Sequence, residues 1–257
     1  MSNNQHRLQT ILTQLREMRL TTMADHLHSL YLSEQNHTMT PLDYLEVIVN
    51  EEYQVRQDNR IERYKKQANL SHREAQISEV RYSSNRGLRK ESIEQLSTNY
   101  YIQHHRNIIV QGATGTGKSY LANALINHAI ESGFTGKYYR MTELLNDIDL
   151  AEFQGTLDKL LKKLMKVDVL VIDDFLLTST KEQEQKHLME VFELRSRKKS
   201  LILCSQMAST EWHKKLGGGA IADAILDRAC SKSYKLILSG ESLRKDDGID
   251  TPIYVVS

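Results

Sequence analysis

The chain has 257 residues with a formal net charge of +1, and 26% of its residues are charged. This length allows one large domain or a small domain followed by a medium one, and the near-neutral balance means that any DNA contact must come from local patches. The two cysteines, Cys204 and Cys230, indicate neither a disulfide framework nor a zinc site. No apolar run approaches the roughly 20 residues of a membrane span, and the polar N-terminus lacks a signal-peptide core. We therefore expect a cytoplasmic protein with no membrane association.

Residues 1–69 predict a small all-helical domain. Apolar residues recur at helical spacing near the N-terminus, and Thr40-Pro41 is a start signal in which a cap residue precedes a proline at the first helical position. The helix that follows is expected to turn its apolar face inward, with Leu42, Leu45, Ile48, Val49 and Tyr53 on that face. Its polar end fits a solvated surface and also an arm that contacts phosphates.

Residues 70–257 predict an α/β domain. A connecting stretch runs to His105, and from Arg106 onward strands and helices alternate. This alternation is the pattern of a mostly parallel sheet flanked by helices.

An eight-residue motif in this domain carries most of the chemical information. It matches the phosphate-binding loop G-x-x-x-x-G-K-[ST] of P-loop nucleotidases, and its residues are Gly112, Ala113, Thr114, Gly115, Thr116, Gly117, Lys118 and Ser119. A short apolar strand precedes the motif and a helix follows it, so backbone N–H groups and a helix N-terminus are expected to point at one phosphate chain. Lys118 would reach the β- and γ-phosphates of a nucleotide, and the Ser119 hydroxyl would ligate Mg²⁺.

Two further apolar strands end in polar residues. The run that starts at Val169 suits a central parallel strand and ends in Asp173 and Asp174, and chemistry in such sheets gathers at the carboxyl ends of the strands. Asp173 is expected to hold Mg²⁺ through water, and Asp174 to orient the attacking water. The next run ends in Ser205 and Gln206, either of which would touch the γ-phosphate or the water.

Residues 221–230 predict a helix that contains Arg228. This arginine would reach the nucleotide of a neighbouring subunit as an arginine finger that stabilises transition-state charge. The alternative is an intramolecular salt bridge, for instance with Asp223 or Asp227.

Residues 156–166 predict an amphipathic helix with leucines on one face. Four lysines share the other face at helical spacing: Lys159, Lys162, Lys163 and Lys166. Such a row of lysines can follow a phosphate backbone, and the alternative is a solvated surface. A second basic patch at 195–199 is either a further contact or a polar loop. We expect DNA binding through phosphates and shape, with little direct base readout.

In this order the motifs resemble the AAA+ ATPases, and more closely the IstB-like transposition helper proteins, which share a broader group with the helicase loader DnaC. The phosphate loop and the strand 169–174 are the two Walker motifs, which are generic. Three other segments narrow the resemblance: Arg19–Ala24, Ala222–Arg228 and the closing signature Gly240–Lys245. The resemblance covers nearly the whole chain.

The resemblance implies a P-loop AAA+ ATPase domain that uses ATP and Mg²⁺, preceded by the helical domain. It also implies a homo-oligomer on double-stranded DNA with ATP between subunits and Arg228 acting in trans, which recruits and stimulates the transposase of the same element. Arg244 would sense the nucleotide, although few residues follow it and we expect no separate C-terminal lid. Asp174 stands where most AAA+ ATPases carry glutamate, and this shorter side chain predicts slow hydrolysis that DNA or a partner accelerates.

Two other functions fit the same motifs. One is a replicative helicase loader like DnaC. Whether the N-terminal region binds a replicative helicase or a transposase would distinguish a loader from a transposition regulator. The other is an ATP-gated DNA scaffold with negligible hydrolysis, which Asp174 leaves open.

Overall fold

The computed structural model describes residues 3–33, 39–82 and 87–243. Contacts within the chain divide it into two compact units, Met1–Arg63 and Tyr64–Ser257. The boundary between these units falls inside a long helix that ends at Ala68. The domain boundary predicted after residue 69 lies just beyond the end of the same helix. None of the described helices combines the length and the apolar character that crossing a membrane requires.

The N-terminal unit contains helices α1 (Asn3–Glu17) and α2 (Thr21–Leu32) and most of α3 (Pro41–Ala68). Its small apolar core is formed by Leu8, Leu12 and Ala24. A carboxylate on α3 joins that helix to α2, because Glu52 accepts a hydrogen bond of 3.0 Å from the backbone N–H of Met23.

The inward face predicted for α3 is wrong for four of its five residues. Ile48 is buried, whereas Leu42 is 72% exposed and Leu45, Val49 and Tyr53 are also exposed. Ile48 and Glu52 lie one helical turn apart on the face that is covered, and the other four share a neighbouring face. Helical spacing therefore identified an apolar stripe correctly but did not indicate which face the short α1–α2 hairpin covers.

The second unit consists of a sheet with helices around it. Its helices are α4 (Lys90–Ser97), α5 (Tyr100–Gln103), α6 (Lys118–Glu131), α7 (Met141–Phe153), α8 (Leu157–Lys166), α9 (Glu182–Arg195), α10 (Trp212–Lys215) and α11 (Gly219–Cys230). Its strands are β1 (Ile108–Gly112), β2 (Gly136–Arg140), β3 (Val169–Asp173), β4 (Ser200–Ser205) and β5 (Tyr234–Leu238). They pair in the order β2-β3-β4-β1-β5, and every neighbouring pair is parallel. The predicted parallel sheet flanked by helices is confirmed.

The three central strands are buried along nearly their whole length. Both faces of this sheet carry helices, which explains why these strands read as continuous apolar runs rather than alternating ones.

Asn107, just before β1, connects this strand to α11 and β4 through side-chain hydrogen bonds. Its side-chain amide donates to the carbonyl oxygens of Arg228 and Ala229 on α11, and its oxygen accepts from the backbone N–H of Leu201 on β4.

The second basic patch is not a free cationic surface, because Arg195 at its start is 1% exposed. Its guanidinium donates to four backbone carbonyls that end α8 or border β3 and β4: those of Leu164, Val167, Asp168 and Ser200. Burial lowers the pKa of Arg195 to about 9, and the charge of Asp168 partly offsets this effect. Lys199 also forms an ion pair within the chain, since its ammonium lies 2.6 Å from a carboxylate oxygen of Asp168. Of this patch, Arg197 and Lys198 are exposed.

Replacing Arg195 by methionine should therefore lower the free energy of unfolding by about 3 kcal/mol or more, because it leaves several buried carbonyls without donors. Chemical denaturation of the full chain measures this change. The control is Lys198→Met, which removes the same charge from an exposed position and should stay within about 0.5 kcal/mol of the unmodified chain. Equal stabilities for the two variants would contradict the role of Arg195.

Candidate nucleotide-binding site

The predicted phosphate loop joins the carboxyl end of β1 to the N-terminus of α6. Gly117 has a φ of 88° immediately before the helix begins at Lys118, a conformation that favours glycine. The Thr116 hydroxyl and the Lys118 ammonium each donate to the carbonyl oxygen of Ala113 at 2.8 Å. The lysine is thus held over the loop at the positive end of the α6 dipole, where anions bind.

Position 115 requires glycine because a segment near the C-terminus of the chain, at Ser242, passes close to it. A Cβ atom on Gly115 would lie 2.0 Å from the Ser242 hydroxyl oxygen, and its φ is +82°. The backbone N–H of Leu243 donates to the carbonyl of Gly115 at 2.9 Å. The start of the closing signature therefore packs directly on the phosphate loop. Arg244 lies outside the described residues, and its role as a nucleotide sensor stays a prediction.

A cavity of about 520 Å³ opens beside the loop, within the size range of small-molecule sites. Its walls combine the phosphate loop with residues that follow two other strands, Asp174 and Gln206. The fold thus brings together three segments that the sequence had singled out separately.

Asp173 and Asp174 differ sharply in environment. Asp173 is 2% exposed, and its Oδ1 accepts a hydrogen bond of 2.8 Å from the backbone N–H of Asp174. The Tyr138 hydroxyl donates to its Oδ2 at 2.7 Å. Asp174 has a φ of 53°, a left-handed conformation that aspartate tolerates better than most residues, and it lines the cavity.

Of the two polar residues at the end of β4, the structure places Gln206 at the cavity. The Thr114 hydroxyl of the phosphate loop donates to its side-chain oxygen at 2.9 Å. Ser205 is buried instead, and its hydroxyl donates to the carbonyl of Phe175 and accepts from the indole N–H of Trp212. Ser205 therefore has a packing role.

The donors in this site suit Mg²⁺. Ser119 lies in the first turn of α6, and Asp173 ends β3 with its two carboxylate oxygens fixed by neighbours. Hydroxyl, carboxylate and water oxygens are the ligands that Mg²⁺ prefers, and each carboxylate oxygen retains a lone pair beyond its one hydrogen bond. We conclude that these residues fit the predicted metal site.

One wall of the cavity was missed by the sequence analysis. It comes from the stretch before β1, which was treated as a connection, and consists of His72, Glu79, Val80, Arg81 and Leu88. The Tyr120 hydroxyl donates to Glu79 at 2.6 Å, and burial together with this carboxylate raises the pKa of Tyr120. These residues follow no motif of fixed spacing, so the sequence contained no pattern that could identify them.

Arg228 is not among the described residues that line this cavity. Its guanidinium pairs with Glu193 on α9, and it also donates to the carbonyl of Ala224 at 2.8 Å. An intramolecular salt bridge therefore forms, but with a different acid from the two named in the sequence analysis. Asp223 lies instead 3.2 Å from His213.

The four lysines predicted to face DNA all lie on α8 and are all exposed: Lys159, Lys162, Lys163 and Lys166. On the opposite face Leu161 and Leu164 are buried in the core around the sheet. The amphipathic pattern is as expected. DNA contact by this lysine row remains a prediction.

Replacing Gly115 by alanine should weaken binding of a fluorescent ATP analogue by more than about tenfold, because both the clash with Ser242 and the positive φ strain the loop. Fluorescence titration measures the affinity. Gly155→Ala is the matched control, since Gly155 has a similar φ of +65° and open space around a Cβ atom. The explanation fails if the two variants bind the analogue equally well.

Comparison with known proteins places the chain in a family. Residues 13–250 match the family described as IstB-like ATP binding protein. The putative insertion sequence ATP-binding protein y4pL of Sinorhizobium fredii is 32% identical over 91% of this chain and 96% of its own length. The insertion sequence IS1162 putative ATP-binding protein of Pseudomonas fluorescens is 32% identical over 79% of this chain and 87% of its own length.

Solved structures agree on the fold. The DnaC helicase loader superposes with a TM-score of 0.54 at 16% identity, over 64% of this chain and 97% of its own. The replication initiator DnaA, bound to AMPPCP and single-stranded DNA, superposes with a TM-score of 0.54 at 19% identity, over 65% of this chain and 50% of its own. At these identities the similarity concerns the P-loop AAA+ fold. The match across nearly the whole chain shows that this protein belongs to the IstB-like ATP-binding family of insertion sequences.

Proposed function

We propose that this protein is an ATP-dependent, DNA-binding regulator of transposition, which assembles on double-stranded DNA and recruits and stimulates the transposase of its insertion sequence. The observation that carries this proposal is the convergence of the phosphate loop, Asp174 and Gln206 on one cavity, in a chain whose relatives are insertion sequence ATP-binding proteins. A cytoplasmic location follows from this role.

The cavity supports ATP hydrolysis by this chain. Lys118 would neutralise charge on the β- and γ-phosphates. Ser119 and, through water, Asp173 would hold Mg²⁺, which would supply further charge neutralisation at the phosphates. Asp174 orients the attacking water, and Gln206 contacts the γ-phosphate from the end of β4. The carboxylate of aspartate reaches less far than that of glutamate, and a displacement near 1 Å costs of order 100-fold in rate. Basal hydrolysis is therefore slow, and DNA or the transposase accelerates it.

Arg228 supports a subunit-bridging role for ATP. Within its own subunit it pairs with Glu193, away from the described lining of the cavity, which favours action on the nucleotide of a neighbouring subunit. ATP bound between subunits then favours assembly by mass action. Hydrolysis removes the γ-phosphate contacts and drives disassembly.

The lysine face of α8 is the proposed DNA contact. Its positive charges lie along one side of a helix whose opposite side is anchored in the core, so the helix that carries the lysines is fixed in place. On β2, burial lowers the pKa of Lys137, the charge of Asp147 opposes this shift, and the charge of Lys163 adds to it. Phosphate binding by such a surface carries little sequence information.

Replacing Lys162 and Lys163 together by alanine should weaken ATP-dependent binding to duplex DNA equally for different sequences. It should also reduce the slope of log affinity against log salt by about 2, because two phosphate contacts are lost. Fluorescence anisotropy with labelled duplexes, in ATP and in ADP, measures both quantities.

The control for this experiment is Lys214→Ala with Lys235→Ala, which removes the same charge at two exposed lysines on other elements. This pair should leave the slope within about 0.5 of the unmodified value. An unchanged slope for the α8 pair, or an equal change for both pairs, would remove α8 as the DNA contact.

A further inference from the structure

The carboxylate that is proposed to hold Mg²⁺ has a buried partner that the reaction scheme does not use. Tyr138 lies on β2, is 3% exposed, and donates its hydroxyl proton to Asp173 Oδ2 at 2.7 Å. The other oxygen of Asp173 accepts from the backbone N–H of Asp174 at 2.8 Å. Two fixed donors, one on each oxygen, thus determine the rotation of the Asp173 carboxylate.

Strand pairing explains why these groups meet. β2 and β3 are parallel neighbours, with Tyr138 opposite Val171 and Arg140 opposite Asp173. A tyrosine two residues before the end of β2 can therefore reach the last residue of β3 along the same face of the sheet. Burial first, and then the charge and hydrogen bond of Asp173, raise the pKa of Tyr138.

We propose that Tyr138 is the positioning residue for the carboxylate of Asp173. The inference rests on the proposed function, since it assumes that Asp173 serves bound Mg²⁺. Partners that orient a metal-binding group contribute strongly to metal affinity, and their loss commonly costs 10- to 100-fold.

The test is Tyr138→Phe in the full chain, which removes one hydroxyl and keeps the ring. We expect the Mg²⁺ concentration for half-maximal binding of a fluorescent ATP analogue to rise about tenfold, while the affinity for the analogue in EDTA is unchanged. A purely structural role would lower both affinities together. The readout therefore separates orientation of the metal site from general loosening of the fold.

β2 itself supplies the matched control. Tyr139→Phe removes the same hydroxyl from the adjacent residue, where it donates to Asp147 at 3.0 Å on the other face of the strand. This variant should keep the Mg²⁺ dependence of the unmodified chain. If Tyr138→Phe and Tyr139→Phe show the same Mg²⁺ dependence, the positioning role of Tyr138 is overturned.

If the unmodified chain shows no Mg²⁺-dependent nucleotide binding, the proposed function itself fails, which is a separate outcome.

Discussion

The parallel pairing of β3, β4 and β1 is the constraint on which the candidate site depends. Backbone hydrogen bonds hold these strands in register, with Val171 opposite Ile202 and Val110 opposite Cys204, so their carboxyl ends emerge at one edge of the sheet. The phosphate loop follows β1, Asp173 ends β3 with Asp174 directly after it, and Gln206 follows β4. No single segment makes the site, and any change that shifts these strands moves its parts relative to one another.

Buried polar groups hold the elements at the opposite edge of the sheet, where β1, β3 and β4 begin. Arg195 satisfies four carbonyls where α8, β3 and β4 meet, and Asn107 fastens α11 to the start of β1. These groups are compensated by hydrogen bonds, as burial requires. The same anchoring supports the surfaces of the proposed function, because α8 carries the lysine row and α11 carries Arg228. A sheet that organises nucleotide chemistry thus also fixes the surfaces proposed for DNA and for a neighbouring subunit.

The sequence predicted the parts of this protein that obey short-range patterns. The phosphate loop, the apolar strand ending in Asp173 and the amphipathic α8 were all identified, because glycine spacing, strand hydrophobicity and helical periodicity are local signals. Prediction failed where the decisive contact is distant in sequence. Arg195 resembles a surface cation until the carbonyls around it are known, and the cavity wall at His72 depends entirely on how the chain returns to the loop.

The central claim is that ATP lies between subunits and that Arg228 completes the site of its neighbour. The most direct test mixes two variants and measures DNA-stimulated ATP hydrolysis: Arg228→Ala, which keeps its phosphate loop, and Lys118→Ala, which keeps its arginine. Each alone should be inactive, and an equal mixture should recover about a quarter of the unmodified rate, because a quarter of its interfaces pair an intact loop with an intact arginine. An Arg228→Ala protein that hydrolyses ATP at the unmodified rate, or a mixture without recovery, would contradict the account.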